Sequence, residues 1–155
     1  MVRKNYLNAM KHRIIKILIV IIAILHVIEE YYGGFIPFVS NIVPGITLVQ
    51  FLFINALFIL YVVVALISDK QILVLSVPLL LIVNAAIHII SSMVFWAYSP
   101  GVLTSVFLYV PVSVCFIKYL NPYRKTVFQS LTLSVVLMAF PLIFQLVRVG
   151  VMRGR

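Results

Sequence analysis

Acidic side chains are almost missing from this chain: of 155 residues only Glu29, Glu30 and Asp69 are acidic. That scarcity excludes centres built from about four carboxylates, such as a ferritin-type di-iron site. Cysteine is reduced to Cys115, so neither an internal disulfide nor a cysteine metal knuckle is available. Charge of either sign is sparse, at 10% against 65% apolar residues, whereas soluble domains carry about a quarter charged. Glycine-rich phosphate loops, a His-Glu-x-x-His helix and a nucleophile elbow are likewise missing.

What fills the chain instead is a series of apolar runs near the roughly 20 residues that cross a bilayer as a helix. They predict an all-α integral membrane bundle of five transmembrane helices, near 14–32, 46–67, 71–98, 102–120 and 126–148, in one transmembrane domain over 1–155. The breaks have local causes: Gly33-Gly34 and Pro44-Gly45, Ser68-Asp69-Lys70, Ser99-Pro100-Gly101 and Asn121-Pro122. Ser-Pro-Gly suits a tight turn, which makes helices three and four an antiparallel hairpin. Pro78, Pro111 and Pro141 fall inside helices and predict kinks. Residues 33–45 are apolar but too short and Pro-broken to cross, and are expected as an interfacial loop or lid.

The net charge of +9 comes from basic residues at helix ends rather than along one solvated face, which argues against nucleic acid and for membrane lipids as the partner. Five lie in the N-terminal tail (Arg3, Lys4, Lys11, Arg13, Lys16), followed by Lys70 and by Lys118, Arg124 and Lys125. All nine fall on one side of the bundle, so that side and the N-terminus are expected to be cytoplasmic, in a membrane of bacterial type. Arg148, Arg153 and Arg155 oppose this if the last helix spans. No small-x-small cleavage site follows the first run, which reads as a retained anchor.

Two of the three acids lie near the end of that first helix. Ionisable groups within a membrane cost several kcal/mol unless paired, hydrated or used. At about 1.5 Å per residue, His26, Glu29, Glu30, Asn55, Asn84, His88, Thr104 and Ser105 fall within one layer, ~18–25 Å from the basic end. His26 lies three and four residues before the glutamates, and Asn84 four before His88, so each set shares a helical stripe. Two imidazoles with one or two carboxylates match the donors of a divalent ion, zinc first. The expected ligands are His26, His88 and Glu30 or Glu29, with the other glutamate as general base. Asn55, Asn84, Thr104 and Ser105 are expected to orient ligands or substrate.

His26-Val-Ile-Glu29-Glu30 on a first helix, then Asn84-x-x-x-His88 and Tyr98-Ser-Pro100-Gly101, resembles the HXXEE family of small multi-helix membrane proteins over about residues 17–112. The resemblance implies the helical fold and marks these residues, without implying an activity. The expected function is a metal-dependent membrane hydrolase acting on a lipid or other lipophilic substrate. Set against it are a metal-free His/Glu acid-base isomerase, a proton or cation transporter and a haem protein. His12 is expected to be solvated. Ser91 and Ser92 are expected to pack rather than react, and Tyr31, Tyr32, Trp96 and Tyr98 to form an interfacial aromatic belt. Tyr109, Gln129 and Gln145 are expected to satisfy one another or the backbone.

Overall fold

The computed structural model describes the backbone of residues 2–42 and 45–153, and the side chains of residues 10–42, 45–141, 143, 144 and 147. Val43, Pro44 and Arg155, and the side chains of Gln145, Arg148 and Arg153, lie outside what is described. Helices run over α1 (Val2–Tyr32), α2 (Phe35–Ser40), α3 (Leu48–Ile67), α4 (Gln71–Phe95), α5 (Val102–Leu120) and α6 (Arg124–Arg153), with no strand among the described residues. Five of them are long, and α2 is the single turn-and-a-half that replaces the expected interfacial loop.

Three of these helices, α3, α4 and α5, are long and apolar enough to cross a membrane. The expectation of five is corrected among the described residues. In α1, Lys16 and the Glu29-Glu30 pair bracket an uncharged stretch, residues 17–28, that falls short of the roughly 20 residues a span requires. In α6, Arg124, Lys125 and Gln129 dilute the first turns, and only part of the rest of the helix has described side chains.

Side-chain contacts set the directions. Near the basic end, the Lys16 ammonium donates to the Leu66 carbonyl at the close of α3, where unsatisfied helix carbonyls favour a cation. Tyr61 bonds Ser76 across the α3/α4 turn, and His12 stacks on Tyr119 at the end of α5. At the other end Tyr31 of α1 meets Phe51 of α3. The long helices therefore alternate in direction along the chain, with α4 in the middle. The core (Ile19, Ile22, Val62, Leu66, Val77, Leu81, Phe116) fills the basic half. α6 is held along α4 by small residues: buried Ser130 donates to the Ile72 carbonyl at 2.9 Å, and buried Ser134 to that of Ser76 at 2.9 Å. Small hydroxyl residues let membrane helices approach closely.

Local signals explain the ends. Thr47 and Gln50 form a reciprocal capping box, so α3 begins one residue after Thr47. α4 stops at Phe95, three residues earlier than expected, because Trp96 turns left-handed (φ 48) with its N–H on the Ser92 carbonyl. That early stop frees Tyr98 and Ser99 to fold back over the bundle. Pro111 is accommodated by a π-helical stretch, Ser105–Tyr109, in which the Val110 N–H reaches the Ser105 carbonyl five residues back. The extra residue in that turn decides which face of α5 looks inward, and Ser105, Tyr109 and Ser113 are all fully buried on it.

Candidate functional site

His26 and Glu30, one turn apart on α1, meet His88 of α4 above the apolar core. All three are almost fully buried, at 2%, 5% and 3% exposed. Glu30 Oε1 lies 3.5 Å from His26 Nε2 and 3.2 Å from His88 Nε2. The rings stand nearly perpendicular, at 76°, with centroids 4.9 Å apart. The three donor atoms lie within 4.8 Å of one another, an arrangement that could hold a metal ion.

The far nitrogen of each ring is also engaged. His26 Nδ1 lies 2.8 Å from Thr104 Oγ1 on α5, and His88 Nδ1 lies 3.1 Å from the buried Ser99 Oγ. Thr104 Oγ1 in turn bonds the Gly101 carbonyl, and the Ser99 N–H donates to Ser92 Oγ. A hydroxyl at Nδ1 sets ring orientation and leaves Nε2 free to face Glu30.

Glu29 faces a different group of partners. Its Oε1 accepts from the Tyr98 hydroxyl at 2.6 Å and from the Gly101 and Leu103 N–H groups, and its Oε2 accepts from the Thr104 N–H at 2.7 Å. α5 has no cap of its own, since residue 101 is glycine, and the carboxylate of α1 caps it instead. Tyr98, in the connecting loop, has its phenol pushed up to about 12 by burial, then by its hydrogen bond to Glu29 and that residue's charge. The two glutamates that the sequence joins in one motif are thus divided between a helix cap and a histidine pair.

The Ser-Pro-Gly turn closes the site from the end away from the basic residues. A Cβ on Gly101 would stand 2.7 Å from His26 Cε1, 2.9 Å from His88 Cε1 and 3.1 Å from Glu30 Cγ. Its φ of +99° is also left-handed. On the α1 side, a Cβ on Gly33 would meet Pro100 at 3.0 Å. Phe35 of α2 reaches the same place, its ring 6.2 Å from that of His88.

Of the other expected residues, Thr104 joins the site through His26, while Asn55 spends its amide on the Phe51 carbonyl of its own helix. Asn84 Oδ1 and Ser105 Oγ are buried with no hydrogen-bond partner among the described residues. Ser92, on α4, accepts from the Ser99 N–H of the loop. His12, expected to be solvated or at the headgroups, is half-buried and stacked on Tyr119; burial and then neighbouring Lys16 push its pKa down. Tyr109 is corrected too: it lies against His26, ring centroids 4.5 Å apart, with its hydroxyl unpartnered among the described residues, while Gln129 is exposed.

Sequence reasoning missed Ser99, Gly101, Tyr98 and Tyr109 as parts of the site. The Tyr-Ser-Pro-Gly string was a signal for the first three, used for a turn, an aromatic belt and the family resemblance but not for the site itself. Tyr109 carried none, because the π turn that points it inward has no simple sequence signature.

Residues 17–116 match the family model described as "Protein of unknown function with HXXEE motif". No curated protein and no solved structure matches the chain significantly. The match spans well over half the chain and takes in every residue of the His26, Glu30 and His88 cluster, together with Glu29 and the Ser-Pro-Gly turn.

Proposed function

We propose that this chain, a member of the HXXEE family, is an intramembrane metal-dependent enzyme of hydrolase type, holding a divalent ion, zinc first, on His26 Nε2, His88 Nε2 and Glu30. The observation that carries the reading is the pairing of two converging Nε2 atoms with two hydroxyl-bound Nδ1 atoms. Donors about 2.0–2.2 Å from a tetrahedral ion stand roughly 3.3–3.5 Å from one another. Glu30 Oε1 is 3.2 Å and 3.5 Å from the two nitrogens. An ion also answers the electrostatic difficulty of a carboxylate buried beside two imidazoles with no lysine or arginine paired to it among the described residues.

A bound ion would supply Lewis acidity at the coordination position left open by three protein ligands. Glu30 and the histidines would hold it, Thr104 and Ser99 orient the rings, and the Gly101 turn keeps bulk water out. Glu29 positions the first turn of α5, and with it Thr104. The substrate class is inferred from location: the site lies against two membrane-length helices, α4 and α5, which favours a lipophilic substrate. The gathering of basic ends at one side supports a reading with the N-terminus in the cytoplasm of a bacterial-type cell and the site in the outer half of the bilayer.

A second reading, metal-free acid-base isomerisation, is favoured by one fact: 3.2 Å between Glu30 Oε1 and His88 Nε2 is already close enough to pass a proton. Haem is disfavoured, because rings 4.9 Å apart leave no room for a porphyrin between them. Elemental analysis of protein purified in detergent separates the first two. About one divalent ion per chain, lost in His26→Ala and in His88→Ala, is expected. A metal-free protein that still turns over a lipophilic substrate would overturn the metal reading in favour of the second.

A further inference from the structure

Four of the buried polar atoms that lack a partner among the described residues are side-chain oxygens: Asn84 Oδ1, Ser105 Oγ, Tyr109 Oη and Ser113 Oγ. Three of these sit at four-residue spacing on one face of α5, starting beside Thr104 and descending from the histidines toward the basic end. The fourth lies one turn below His88 on α4. His26 Nε2, at the top of the row, is the remaining orphan.

Orphan hydroxyls are not a general feature of this bundle. Buried Ser76, Ser99, Ser130 and Ser134 all have partners, three of them on backbone carbonyls. Ser105 and Ser113, on an equally buried face, make no such bond to the turn before them. Among the described residues the unsatisfied groups are confined to the site and the strip below it, and a bilayer interior offers no bulk water to satisfy them. One turn below each histidine stands a small buried residue, Ala23 on α1 and Ala85 on α4.

We infer that Ser105, Tyr109, Ser113 and Asn84 line a hydrated seam, a row of bound water molecules running from His26 toward the basic end, where the Phe116, His12 and Tyr119 rings close it. Bound water making two to four hydrogen bonds is the ordinary ligand of such a row. The seam gives the site a water supply from the side opposite the Gly101 turn, whose backbone seals the other approach. It rests on the orphan hydroxyls; that this water serves hydrolysis rests on the function proposed above.

Synchrotron hydroxyl-radical labelling of the full chain in lipid nanodiscs, read by peptide mass spectrometry, tests it, because a buried ring is oxidised where bound water lies against it. Tyr109, 0% exposed, is expected to label within about tenfold of Tyr123, 80% exposed, whereas buried Phe51 stays unlabelled. The double variant Ser105→Ala/Ser113→Ala is expected to lower Tyr109 labelling about fivefold with Tyr123 unchanged. Should that variant fail to fold, the wild-type ratio of Tyr109 to Phe51 decides alone. Labelling of Tyr109 no greater than that of Phe51 overturns the seam. Metal content measured on the same sample separates the two ideas: a labelled Tyr109 in a metal-free active protein upholds the seam and sinks the metal centre. An unlabelled Tyr109 in a metal-loaded protein does the reverse.

Discussion

Glu29 Oε2 accepts the backbone N–H of Thr104 at 2.7 Å, and the same threonine's hydroxyl lies 2.8 Å from His26 Nδ1. The carboxylate that stands beside Glu30 in sequence therefore acts on the histidine from behind, through the first turn of α5. Glu29→Gln and Glu30→Gln should separate cleanly. Glu29→Gln weakens charge-assisted bonds to three N–H groups and a phenol, and should lower stability by about 2 kcal/mol while keeping most bound metal. Glu30→Gln removes an anionic donor and should lose the metal with little loss of fold. Thermal unfolding and elemental analysis on both variants check this, and equal metal loss in both would show that the carboxylates share one task.

Ser99 and Thr104 reach the histidines only at Nδ1. Ser99→Ala and Thr104→Val should each weaken metal binding about 10- to 100-fold, as removal of outer partners does in other metal sites. Competition against a fluorescent chelator measures the affinity. Unchanged affinity in both would mean that packing alone holds the rings.

Gly101→Ala puts a methyl group 2.7 Å from His26 Cε1 at a backbone φ of +99°. Conformational strain alone costs about 1–2 kcal/mol, and the clash pushes the imidazoles apart. We expect lowered stability together with lost metal occupancy. Gly34→Ala makes a control: it shares a positive φ, but among the described residues its added methyl would meet only Pro37, at 3.5 Å, so stability should fall with metal retained.

Raising the pH should release the Tyr98 clasp late. Its phenol is held up to about 12, above the ordinary value near 10, so the folded state binds that proton more tightly. The contribution to stability is full below pH 10 and is lost as the pH climbs through 12. Phenolate absorbance of wild type minus Tyr98→Phe should show a step near 12, and a step near 10 would mean that the bond to Glu29 is not made.

How far the sequence could be read depended on the range of the interaction. Helix positions followed from composition and breakers, and the stripe of His26 and Glu30 from a spacing of four, since both are properties of one segment. α4 came out too long at its C-terminal end because the left-handed turn at Trp96, a residue with no preference for it, depends on where Ser99 must go. Fewer helices than the apolar runs suggested are of membrane length among the described residues, because in α1 the charges at Lys16 and Glu29 leave too short an uncharged stretch and in α6 Arg124 and Lys125 dilute the first turns.

By itself the sequence determined an oily helical bundle with basic ends and a few ionisable residues set into it. Hydropathy and helical period are written locally, and a bilayer leaves a chain little choice but to satisfy its backbone within helices. Tertiary structure alone decided which glutamate meets the histidines, which hydroxyls steady them, and that Gly101 lies across them. Those outcomes turn on rotations of α1, α4 and α5 about their own axes. One extra residue in the π turn of α5 resets such a rotation, and no single segment encodes it.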